Sequence, residues 1–248
     1  MSGHSKWATI KHKKGAADKA RGKLFAKLAR QIEVAARQGG GDIDSNASLR
    51  TMVLKAKAAQ MTKDAIDRAI KRGIGETSGA SYESITYEGY APGGVAVLID
   101  VLTDNRNRTA SDVRSIFSKF GGAMAEPGAV GWQFSRRGVI FLAGSASEDD
   151  VMVAALEAGA DDVSQDGNLW KIMTDPSVVY DVKDKLDASG LEVQSAESTM
   201  VSSNVIDVTD KDDARNILRI MDALEDNDDV QDVYSNFDID ETIMQEVG

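Results

Sequence analysis

The spacing of apolar residues changes once along this chain, near Tyr82, and that change limits the folds open to it. Before Tyr82 the period is helical. Leu24, Leu28 and Ile32 recur every four residues beside Phe25, Ala29 and Ala36, which predicts one amphipathic helix over 16–37 ended by Gly39-Gly40-Gly41. A second helix is expected from about Ser48 to Gln60. A third starts with Thr62 as N-cap and Asp64 in its first turn, and stops at Gly73. After Tyr82 short strands alternate with helices. Ile85 and Tyr87 alternate with polar residues, Gly89-Tyr90-Ala91-Pro92-Gly93-Gly94 makes a hairpin turn, and Val95–Leu102 reads as a buried strand.

The remaining elements follow the same logic. Thr109 caps a helix to Phe120, and a strand covers Val130–Phe134. Strand, helix, strand, helix and strand follow at 139–142, 147–158, 169–174, 176–189 and 191–200. Asp175-Pro176 starts the second of these helices. Val205–Val208, Asp210–Glu225 and Val230–Tyr234 close the chain as strand, helix and strand. The unit from Val139 to Met200 is self-contained. The unit before it lacks a second helix and strand, which the C-terminal elements can supply. The expectation is an α+β chain of three domains: a basic tail and helical domain over 1–77, an α+β sandwich over 78–135 plus 203–248, and a second, inserted sandwich over 136–202, both sandwiches ferredoxin-like.

Charge follows the same division. Residues 1–75 hold 17 Lys and Arg against 6 Asp and Glu, while residues 76–248 hold 12 against 34. A concentrated basic segment is the footprint of a polyanion binder, and an acidic remainder repels nucleic acid, so such a contact belongs to the head. The chain has no cysteine, which excludes disulfides, a thiol nucleophile and Cys-based metal sites. No apolar run approaches a membrane span, and the N-terminus lacks the apolar stretch of a secretory signal.

The candidate nucleic-acid contacts are Lys6, Trp7, Lys11, His12, Lys13 and Lys14 in the tail, with Lys19, Arg21, Lys23, Lys27 and Arg30 on the first helix. Lys and Arg displace counterions from phosphates, and Trp7 can stack on a base. On a helical wheel Lys19, Lys23, Lys27, Arg30 and Arg37 share a band of about 80° opposite the apolar side. The competing reading is a solvated tail and a solvated helix face. His4 and His12, the only histidines, have no accompanying third ligand or carboxylate cluster, so no metal site or catalytic base is assigned. The acidic runs 148–150, 161–162 and 225–229 lack calcium-loop spacing and read as helix capping and solubility. The loop of Asn105, Arg106, Asn107 and Arg108 is a possible second anion contact or plain turn chemistry.

The segments GHSKWATIKHKKGAADKARGKLFAKLAR, YEGYAPGGVAVLID, LTDNRNRTASDVRSIFSKFGG and PGAVGWQF resemble the YebC family, in order and over essentially the whole chain. Ala47 and Ala91 stand where the family commonly has proline and glycine. The resemblance implies a non-enzymatic cytoplasmic regulator with a helical N-terminal domain and two α+β domains, one inserted in the other. It implies no cofactor and no small-molecule substrate. Two roles go with it: DNA binding in transcription control, and action on the ribosome, through ribosomal or transfer RNA, to assist synthesis of proline-rich stretches. Base-reading Asn, Gln and Arg clusters are scarce on the helices, which favours a target read by shape and charge.

Overall fold

The computed structural model describes residues 17–77 and 81–247. The head is three helices, α1 (Ala17–Gly39), α2 (Ala47–Ala58) and α3 (Lys63–Gly73). Leu28, Ile32, Leu49, Val53, Ile66 and Ala69 form its own core, while Leu24, on the edge of the apolar stripe, is 47% exposed. Helix α2 starts one residue before the expected Ser48 and is capped by buried Asn46. The Asn46 side chain accepts from Leu49 N–H and donates to the Ala35 and Gly40 carbonyls, tying the end of α1 to the start of α2. Thr62 caps α3 as expected. A Cβ on Gly73 would collide with the Glu33 carbonyl and the Ala36 methyl, so glycine lets α3 close on α1. Buried Glu33 accepts from Arg72 Nε at 3.1 Å and Arg37 at 3.4 Å. The Arg72 pair thus ties α3 to α1, and the Arg37 pair lies within α1.

Next comes a hairpin, β1 (Glu83–Ala91) and β2 (Val95–Thr103), paired from Glu83–Thr103 to Ala91–Val95. Gly93 and Gly94 take φ of 73° and 77° in its turn, a region that favours glycine. Strand β2 is buried nearly throughout. Helix α4 (Arg106–Lys119) follows, then β3 (Ala123–Ala125) beside β1. The strand expected at Val130–Phe134 is instead a loop and a short 3-10 turn, Gly131–Gln133. Buried Glu88 explains the change: its carboxylate takes the N–H groups of Gly128 and Val130, which a strand neighbour would otherwise satisfy.

Residues 131–205 form a separate compact unit. It contains β4 (Phe134–Ala143), α5 (Glu148–Ala158), β5 (Asp162–Asp166), β6 (Leu169–Thr174), α6 (Val179–Ala188) and β7 (Val193–Ser202). The antiparallel order β5-β6-β4-β7 is the ferredoxin-like arrangement. Ile140, Leu142, Trp170 and Ile172 pack under Val151, Ala155, Val182 and Leu186. Helix α6 starts three residues after Pro176, because Asp175 Oδ1 accepts from Ser177 N–H and makes a turn there first. The edge strand β5 has a polar, acidic sequence that carries no strand signal.

The chain then adds β8 (Ile206–Val208), α7 (Lys211–Asp226), β9 (Val230–Ser235), β10 (Phe237–Ile239) and α8 (Glu241–Val247). Strand β9 pairs with β2, completing the order β3-β1-β2-β9. Here the hairpin is central and each edge strand follows a helix, so this sheet reaches a two-layer form by a different order from the inserted one. Its core joins Val97, Ile99, Val113 and Phe117 to Ile217, Ile220, Met221 and Leu224. The chain is α+β, with three separate hydrophobic cores among the described residues.

Candidate nucleic-acid interface

Helix α7 ends in Glu225-Asp226 and has no basic residue in its last turn. Acids at the negative end of a helix dipole are unfavourable, and the last carbonyls there need donors. Helix α1 supplies them. Lys23 Nζ donates to Asp226 Oδ1 at 2.8 Å and to the Asp226 carbonyl at 3.1 Å. Lys27 Nζ donates to the Glu225 carbonyl at 2.9 Å, and Arg30 to the Asp228 carbonyl at 2.7 Å. The cationic face of α1 therefore caps another helix in trans. Burial pushes the Lys27 amine below its ordinary range, against the pull of Glu225 and Asp232.

Asp229 is the hub of this joint. Its side chain is 7% exposed. Oδ1 accepts from Arg30 at 2.9 Å; Oδ2 accepts from Arg108 and from Thr109 Oγ1, each at 2.7 Å, and from Thr103 Oγ1 at 3.3 Å. Burial raises the carboxyl pKa, but hydrogen bonds from Arg108, Thr109 and Arg30 outweigh it, and the group sits below the usual carboxylate value. Its hydrogen bonds to Asp229 and Asp104 push the Arg108 guanidinium up. The guanidinium of Arg30 also lies 5.3 Å from the centre of the Tyr82 ring.

The loop after β2 is organised by this hub. Asn105, not Thr109, is the N-cap of α4, accepting from Arg108 N–H at 3.0 Å. Thr109 lies inside the helix, buried, with its hydroxyl on Asp229. Arg108 is held between Asp229 and Asp104. Arg106 and Asn107 are exposed, although Tyr87 Oη donates to the Arg106 carbonyl at 3.3 Å.

The expected contact residues thus separate into groups. Lys6, Trp7, Lys11, His12, Lys13 and Lys14 lie outside the described residues, as does the side chain of Lys19 on α1. Arg21 is exposed on α1. Lys23, Lys27 and Arg30, which share a band on α1, are engaged with the segment 225–229. The run 225–229, read as capping and solubility, is their receptor. The signal for it was a helix end rich in acids and without a cation of its own. Sequence reasoning also passed over Lys55, Lys57, Lys63, Arg68 and Lys71, all exposed on α2 and α3 and joined by no ion pair among the described residues.

Helices α2 and α3 are joined by four residues, Ala59–Thr62, with Gln60 at φ 65°. That is the connectivity of a helix-turn-helix. The exposed face of α3 nevertheless alternates Lys63, Arg68 and Lys71 with Asp64 and Asp67, and those acids oppose insertion into a groove lined by phosphates. Among the described residues no group of three or more His, Cys, Asp and Glu is placed to hold a metal, and no helix is long and apolar enough to cross a membrane.

Residues 5–76 match the TACO1/YebC protein N-terminal domain, and residues 82–237 match the TACO1/YebC second and third domain. The chain belongs to the TACO1/YebC family. It is 55% identical over 250 residues to a "Probable transcriptional regulatory protein" of Rubrobacter xylanophilus, covering 100% of both chains. It is 52% identical over 247 residues to one of Geobacter sp. strain M21, again covering 100% of both. The crystal structure of a conserved hypothetical protein from Aquifex aeolicus shares 42% identity with a TM-score of 0.77, over 91% of this chain and 93% of that one. The first region holds the three helices of the head, and the second holds both four-stranded sheets.

Proposed function

We propose that this protein is a non-enzymatic, cytoplasmic, nucleic-acid-binding regulator of gene expression that grips phosphate through its head. One observation carries the reading. After α1 has spent Lys23, Lys27 and Arg30 on the acidic turn, the head still presents Lys55, Lys57, Lys63, Arg68 and Lys71 at its surface, and the chain before it contains Lys6, Lys11, Lys13 and Lys14. The names of the relatives support transcription control and hence DNA as the target.

The acids on α3 favour a second reading, in which the target is ribosomal or transfer RNA held by shape and charge without base reading. Crosslinking in cells, followed by sequencing of the attached nucleic acid, tests both. Promoter DNA supports the first, ribosomal or transfer RNA the second, and recovery no greater than from cells without the protein overturns the proposal.

A further inference from the structure

In the inserted unit α5 buries Val151, Ala155 and Ala158 against the sheet and turns Met152, Val153 and Leu156 outward, at 49%, 57% and 80% exposure. Met152 and Leu156 are four residues apart, and Val153 lies three before Leu156, so the trio forms one contiguous apolar surface. Helix α6 lies alongside, joined where Lys185 Nζ donates to the Ala158 carbonyl at 3.1 Å, and Tyr180 on its outer side is 50% exposed. Large apolar side chains grouped on a helical layer mark interaction sites.

The surroundings identify the occupant. Glu148, Asp149, Asp150, Glu157, Asp181, Asp184 and Asp187 are all exposed on these two helices. Both lysines of the layer are engaged: Lys183 with Asp184 and Asp187, Lys185 with the Ala158 carbonyl. Residues 131–205 hold 13 acids against 5 basic residues. This charge repels nucleic acid, and it repels the same face of a second copy. We propose that the outer face of α5 and α6, centred on Leu156, docks a basic protein segment that presents a short apolar stripe. Apolar anchors would fill the centre and Lys or Arg would meet the acidic rim. The inference does not depend on the head binding nucleic acid.

The test uses the full chain and a 14-residue peptide of Leu and Lys in helical period, with a scrambled peptide of equal composition as control. Titration at 0.15 M salt should show the amphipathic peptide binding at least tenfold more tightly than the scrambled one. Leu156→Ser should remove that advantage with the melting temperature unchanged, and Met152→Ser serves as an independent second variant. Asp149→Asn with Glu157→Gln should weaken binding and its salt dependence. Equal affinity for both peptides, indifference to both serine variants, or self-association abolished by Leu156→Ser would each overturn the proposal.

Discussion

Arg30 donates to Asp229 across 199 positions of sequence, and the carboxylate that receives it is nearly inaccessible to solvent. The neighbouring pair, Lys23 with Asp226, has a similar length, but Asp226 is 74% exposed. Equal geometry therefore gives unequal energy. Asp229→Ala removes the buried acceptor shared by Arg30, Arg108 and Thr109 and should cost about 2–4 kcal/mol in urea unfolding. Asp226→Ala should cost less than about 0.5 kcal/mol. Similar losses for the two variants would contradict the assignment of Asp229 as the hub.

Acid should dismantle the same joint. The Asp229 carboxyl lies below its ordinary value when folded, so its contribution is complete above the unfolded value near 4 and is lost as pH falls through the folded one. Asp42 and Asp175 are lowered as well, so the total acid dependence is shared. The difference in stability between the parent and Asp229→Asn isolates the hub. It should be constant above about pH 5 and shrink below that. Urea midpoints measured from pH 3 to 7 decide it.

Engagement of Lys23, Lys27 and Arg30 changes the expected salt dependence. Nine basic residues up to Arg30 would give a slope of log K against log salt near −8 on duplex DNA; with Lys23, Lys27 and Arg30 held in the joint these residues give a slope no steeper than about −5. Replacing Lys11, Lys13 and Lys14 with Glu should abolish most binding while moving the melting temperature less than Arg30→Ala does. A slope near zero, or parental binding by the triple variant, would remove the basis for phosphate gripping by the tail.

The two loop arginines should behave differently. Arg108 holds Asp229, so Arg108→Ala should lower stability in thermal melts. Arg106 is exposed and its side chain joins no ion pair among the described residues, so Arg106→Ala should leave the melt nearly unchanged. If the loop is a second contact surface, Arg106→Ala alone reduces activity in cells at parental stability.

Periodicity made most of the fold legible. The head helices, the central hairpin and α7 lie where apolar spacing puts them. The misses at the expected Val130–Phe134 strand and at the start of α4 trace to side-chain hydrogen bonds that apolar spacing does not register. Glu88 converts an apolar stretch into a loop, and Asn105 moves the cap of α4 four residues ahead of Thr109 because Thr109 is occupied by Asp229. The candidate interface was legible as charge but not as geometry. A wheel shows that Lys23, Lys27 and Arg30 share a face; nothing local shows that the end of α7, some 200 residues later, lies against it.

That separation also orders events during synthesis. Helix α1 leaves the ribosome early, whereas Glu225–Asp229, which cover its cationic side, emerge about 200 residues afterwards. At about 5–20 residues per second the gap is about 10–40 s. Throughout that interval the nascent chain displays three more positive charges than the finished protein, at the surface of a machine built largely of RNA.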